Sequence, residues 1–242
     1  MIRRSITVIS TALLLLIGSD VFAQSSEAAK EFWPQVKTLI ELLPKTRIEL
    51  EATKQNGEDL ARTQKKFGVI GTYRMKRLIN GPLLDIDDAK NYTLVLGVGY
   101  EHLFTDDNGS EKSENRILIQ AIPHYSIRTV GLLLQDRNKV EFRWVNNVYS
   151  TRYRNKLTIE RPLKIERVKF TPYASGELFY DGQHHKWNEN QYAFGVIFPF
   201  KKLLSVDAYF LRQNCTTCKE EHVNAFGLTL TFFFDLQRKK TK

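Results

Sequence analysis

Between Asp136 and Asp181 the ionisable side chains fall at a spacing of two. Lys139, Glu141 and Arg143 alternate with Val140, Phe142 and Trp144, and Arg137 continues the charged series. Arg152, Arg154, Lys156 and Glu160 alternate with Tyr153, Asn155, Leu157 and Ile159, and Ser175, Glu177 and Asp181 alternate against Ala174, Gly176 and Leu178. Two is the side-chain period of a β-strand, so each series occupies one face. Neighbouring strands lie about 4.8 Å apart, so the charged heads of three consecutive strands can meet as a ladder. Such a ladder supports two chemistries. A row of Arg and Lys favours anions, and an Arg fork grips a carboxylate or phosphate through two parallel N–H donors. Alternatively, Glu141, Glu160 and Glu177 neutralise the cations and the ladder fills an interior structurally.

The other reactive side chains are fewer. Cys215 and Cys218 form a CxxC in a polar stretch between two strand-like runs. In an exported chain this spacing reads as a local disulfide closing a loop tip. A metal site combining the two cysteines with His184 and His185 is the weaker reading, and neither a metal nor a cofactor is expected. Ser126 lies beside His124, but no third residue orients the pair, so enzymatic chemistry at a membrane rim is the least supported function and none is assigned.

The elements that hold these residues repeat along the whole chain. Tyr92, Leu94, Leu96, Val98 and Tyr100 make one face of a run; Tyr192, Phe194, Val196, Phe198 and Phe200 another; Phe226, Leu228, Leu230, Phe232 and Phe234 a third. Each apolar face carries aromatics at both ends, while the opposite face is small or polar. Eleven candidate strands follow, at about 32–42, 45–54, 65–77, 91–104, 115–125, 130–145, 150–162, 169–181, 190–199, 203–213 and 222–234. Tight connections at 43–45 and 200–202 contrast with long polar ones at 55–64, 105–114, 182–189 and 214–221. Apolar bands edged by aromatics, with short turns at one end and long loops at the other, predict an all-β, antiparallel transmembrane β-barrel rather than a soluble sandwich. Single-chain bacterial barrels use an even number of strands. A break at Asp136–Asn138 would raise eleven to twelve, and twelve is favoured within a range of ten to twelve.

The first 23 residues read as an export signal: basic Arg3 and Arg4, an apolar stretch from Ile6 to Gly18, and cleavage after Ala23. The stretch is too short for a spanning helix of roughly 20 residues. The domain plan is therefore a signal peptide at 1–23, a barrel at 24–234 and a basic tail at 235–242. A mean hydropathy of -0.35 excludes a helical membrane protein, and 15 Phe with 10 Tyr exclude a disordered chain. The net charge of +9 does not point to nucleic acid, because no such motif accompanies it and the chain carries an export signal.

Several segments together resemble a family of uncharacterised Gram-negative outer-membrane β-barrel proteins defined only as a domain of unknown function. They are Phe32-Trp33-Pro34, the run from Asp136 to Arg143, Arg152-Tyr153-Arg154-Asn155, Pro172-Tyr173 with Glu177 to Asp181, Leu211 to Asn214, and His222 to Leu228. The resemblance implies a barrel in the bacterial outer membrane, surrounded by outer-membrane lipid and lipopolysaccharide and inserted by the barrel assembly machinery. It implies no activity. In size and basic interior the chain is also similar, by architecture alone, to small porins for acidic oligosaccharides. The expected function is a narrow channel favouring small anionic solutes, lined by Arg137, Lys139, Glu141, Arg143, Arg152, Arg154, Lys156, Glu160 and Glu177. The alternative is a non-conducting structural or interaction barrel with a salt-bridged interior.

Overall fold

The computed structural model describes residues 28–57, 62–78, 87–107, 109–218 and 220–236. The expected signal peptide and most of the basic tail lie outside them.

Twelve strands form in chain order: β1 (Ala29–Leu43), β2 (Thr46–Asn56), β3 (Arg62–Arg74), β4 (Leu94–Asp107), β5 (Ser110–Ile127), β6 (Leu132–Val145), β7 (Val148–Glu160), β8 (Leu163–Ile165), β9 (Val168–Asp181), β10 (Lys186–Phe200), β11 (Leu204–Cys215) and β12 (His222–Asp235). Among the described residues, one 3₁₀ turn, Asp88–Asn91, lies in the connection between β3 and β4. Every strand but β8 belongs to one closed wall. Neighbours pair antiparallel, β7 pairs directly with β9, and the wall closes through a parallel seam between β1 and β12. Following paired residues once around shifts the register by about 14 residues, which tilts the strands by roughly 40° and gives a backbone diameter of roughly 20 Å.

The all-β barrel expected from the sequence is the fold, and all eleven candidate strands are wall strands. The twelfth strand has a different origin from the one anticipated. Residues 130–145 do not break at Asp136–Asn138: Asp136, Arg137 and Asn138 stay in β6, paired with Leu157, Lys156 and Asn155. Their side chains hold the strand, since Asn155 donates to Asp136 at 2.6 Å and Arg137 bonds Glu177 at 2.9 Å. The extra strand is β8, which pairs only with the start of β9, outside the wall. An odd wall becomes possible because its seam is parallel, which places the two chain ends at opposite rims.

The connections also differ from expectation. The segment at 105–114 is mostly strand and 55–64 is strand at both ends: β2 runs to Asn56, β3 resumes at Arg62, and β4 and β5 are separated only by residues 108 and 109. Polar residues on strands that rise beyond an apolar belt show no period to separate them from loop. These hairpins share a rim, here the upper, with the β6–β7 turn. There Asn146 and Asn147 both take positive φ, 45° and 67°, as a two-residue type I′ turn requires. The longest connection, between β3 and β4, leaves and re-enters the wall at the lower rim.

Side-chain alternation divides the wall into two surfaces. Outward residues are large and apolar: Phe194 is 65% exposed, Val98 59% and Phe67 54%. Their inward neighbours are buried, among them Ala193, Leu103 and Leu118. Aromatic pairs mark the edges of the outer belt, with Trp144 on Tyr149 and Tyr180 on Trp187 at the upper rim and Phe170 on Phe198 toward the lower.

Candidate functional site

The inner face of β4 to β9 carries a continuous ion-pair network. Glu141 is its centre and is wholly buried. It accepts from Lys139 at 2.9 Å and Arg154 at 3.1 Å, with Arg116 at 3.8 Å. Arg154 continues to Glu177 at 2.8 Å, which also takes Arg137 at 2.9 Å. Glu114 joins Arg116 at 2.6 Å and pairs with Arg143. Glu101 faces Arg116 and Lys139, both at 3.6 Å. Arg152 lies 3.9 Å from Glu189, and the Arg154 guanidinium stacks 4.4 Å above the Phe179 ring. A low-dielectric wall tolerates this many charges only because each gains partners.

All nine charges read from the sequence as lumen-lining point inward, although Glu160 serves a separate contact. Glu101, Glu114 and Arg116 escape that reading, yet they obey the same alternation one and two strands earlier. Glu51, paired with Lys66, extends the network to β2 and β3.

Two inward cations stand apart. Lys37 on β1 and Lys156 on β7 form no ion pair within salt-bridge distance among the described residues. They sit on opposite sides of the lumen, near enough to repel one another. Glu177, the strongest opposite charge acting on Lys156, is already shared by two arginines. Asp207 faces both lysines from β11; Tyr173 donates to its Oδ2 at 3.1 Å, and its Oδ1 has no partner.

The remaining inner surface, from β10 through β12 to β1, is mostly neutral. Trp33 packs on Ala193, Leu211, Val223 and Ala225. Ala193 on β10 and Ala225 on β12 open the space its indole fills. The Tyr173 and Tyr209 rings lie flat over Gly195 and Gly227, where an added Cβ would collide with them.

The lower mouth is crossed by residues 87–91. Asp87 accepts from Arg47 of β2 at 2.7 Å, and Lys90 reaches Glu160 of β7 at 2.9 Å. Arg74 binds Glu41 and the edge of Asp88. Burial alone would raise the Asp87 carboxyl, but the adjacent Arg47 guanidinium holds it well below the usual carboxylate range.

At the upper rim Cys215 and Cys218 form a disulfide, so neither sulfur is available as a thiolate ligand beside His184 and His185. His124 is buried on the inner face near the lower rim, opposite Gln135, and Ser126 lies one inward row nearer that rim, opposite Leu133. On the outer face, Asp136, Asn138, Asn155 and the Tyr153 hydroxyl bond one another within the apolar belt.

A closed wall, an apolar exterior and a charged, narrow interior define a β-barrel protein. The chain belongs to the DUF2490 family of proteins of unknown function, whose match covers residues 30–223. No curated protein and no solved structure matches it.

Proposed function

We propose that the protein is an outer-membrane barrel whose lumen is a narrow path favouring small anions. The exterior supports the membrane reading. Soluble monomers rarely expose apolar patches beyond a few hundred Å². Here an apolar belt encircles the wall and is edged by aromatic pairs, as lipid-facing barrels require. On this reading the surroundings are outer-membrane lipid and lipopolysaccharide, the chain is exported by its N-terminal segment, and the barrel assembly machinery inserts it.

The observation that carries the anion preference is the Lys37–Lys156 pair. Apart from Lys156, the track expected from the sequence is largely neutralised once Glu101, Glu114 and Glu189 join Glu141 and Glu177, and it acts as scaffold. Selectivity then rests on two cations that face each other without an ion-pair partner, where a passing anion finds positive potential from both sides. A second reading, a non-conducting barrel, is favoured by the 87–91 strap spanning the lower mouth.

Planar-bilayer conductance of refolded residues 24–242 under a salt gradient separates the two. Steady steps with an anion-selective reversal potential, moved toward cations by Lys37→Glu with Lys156→Glu, support the channel. A folded, inserted barrel with no conductance overturns it in favour of the strapped, non-conducting form. A chain that folds but does not float with vesicles removes the membrane reading itself.

A further inference from the structure

The outer face of β1 to β4 is not a smooth belt. A groove of about 410 Å³ runs across it, lined by Val36, Leu50, Ala52, Phe67, Val69 and Tyr100. Its volume lies within the roughly 300–1,000 Å³ that encloses small ligands. The groove exists because Ala52 is small between larger neighbours: it pairs with Val36 on one side and Phe67 on the other.

One outward row higher, Lys54 and Lys65 stand directly opposite each other on β2 and β3. Both are exposed, and neither forms an ion pair among the described residues. Like charges directly across a strand pair repel. The adjacent Lys66, one residue along and therefore inward, is paired with Glu51. The outward pair is open to a counter-charge from outside. The β4 border of the groove is polar one and two rows below, where His102 Nδ1 meets Asn115 Oδ1 at 2.6 Å and Tyr100 donates to the same oxygen at 2.6 Å, whereas Phe104 stands opposite Lys65 itself. His102 pairs with Phe67, one row below Lys65.

An apolar groove ending at a doubled positive charge has the polarity of an anionic amphiphile. We propose that this face holds one phosphate-bearing membrane lipid, with an acyl chain in the groove and the phosphate on Lys54 and Lys65. The proposal rests on the membrane reading of the barrel, because only there does the outer face meet lipid.

The test uses refolded residues 24–242 in neutral detergent, titrated with phosphatidylglycerol or phosphatidylcholine and read by native mass spectrometry. One phosphatidylglycerol should be retained about tenfold more strongly than phosphatidylcholine, since each lysine near an anionic lipid adds appreciable attraction. Lys54→Gln with Lys65→Gln should erase that preference, and Ala52→Trp should weaken retention of both lipids by filling the groove. Heat-modifiable migration on a gel confirms that each variant is folded. Equal retention of the two lipids, or a preference untouched by the lysine changes, overturns the proposal. So does displacement of the lipid by inorganic phosphate, which would make the lysines a free-anion site, or a dimer in place of a lipid adduct, which would make the groove a contact between copies. Flotation with vesicles is measured in parallel. Barrels that float yet retain no lipid sink this site alone, while barrels that do not float sink the membrane reading with it.

Discussion

The two halves of the inner wall reach the same end, a filled and rigid interior, by opposite means. From β4 to β9 long charged side chains interlock through Glu141, Glu177 and Glu114. From β10 through β12 to β1 the wall is lined by small and aromatic residues, with Trp33 packed on Ala193, Leu211, Val223 and Ala225 and tyrosine rings laid over glycines. The charged half is strong only while every member is present, because removing one leaves its partners buried and uncompensated. The neutral half loses contact area in proportion to what is removed. The charged half also projects into the lumen, whereas the tyrosines lie against their wall.

The sharpest way to break this comparison is Glu141→Ala. It strands Lys139, Arg116 and Arg154 together, and unfolding by guanidinium in lipid vesicles should show a loss of about 3–5 kcal/mol. Trp33→Ala, in the neutral half, should cost about 3 kcal/mol by the same measurement, from lost burial and the cavity left behind. A loss for Glu141→Ala no greater than that for an exposed charge would show that water enters the ladder and that the halves do not differ in kind. Gly227→Val tests the flat tyrosine: Tyr209 must leave the wall, with an expected cost of about 1–3 kcal/mol and a narrower lumen seen as reduced conductance.

The strap offers a smaller effect with a pH signature. Its Asp87 is held as a carboxylate in the fold. The stabilisation it supplies is therefore fully present above about pH 4 and is lost as pH falls through the lowered folded value. Amide exchange at 87–91 should rise under acid, and Asp87→Asn should reproduce that rise at neutral pH at a cost of about 1 kcal/mol. The smallest change in stability is expected for Lys156→Met, within about 0.5 kcal/mol because no ion pair is broken. The same change should still lower anion selectivity, measured as reversal potential. That separation of stability from selectivity distinguishes the lysine pair from the ladder beside it.

Much of this arrangement is legible in the residue pattern alone. The period of two places Arg137, Lys139, Arg143, Arg152, Arg154 and Lys156 on one face, and they share it. The carboxylates across from them are legible only where they lie in the same three strands. Glu114 and Arg116 carry the same signal in β5, but nothing in their local pattern says that β5 is the neighbour of β6 with Arg116 opposite Arg143. Asp136–Asn138 mislead because polar residues inside an apolar run look like a turn. Their role emerges only with Asn155 and Tyr153 beside them.

Local sequence determined the alternation, the eleven wall strands, the inward charge and the outward apolar belt, because each depends on side-chain period and polarity within about ten residues. Tertiary structure alone decided the rest. The parallel seam fixes the odd strand count. The register around the wall chooses which cations reach carboxylates and leaves Lys37 and Lys156 beyond ion-pair distance of one. Closure brings Arg47 and Glu160, far apart in sequence, to opposite sides of one mouth that residues 87–91 can span. A pattern of period two states which face a residue is on. Only the closed wall states what stands across from it.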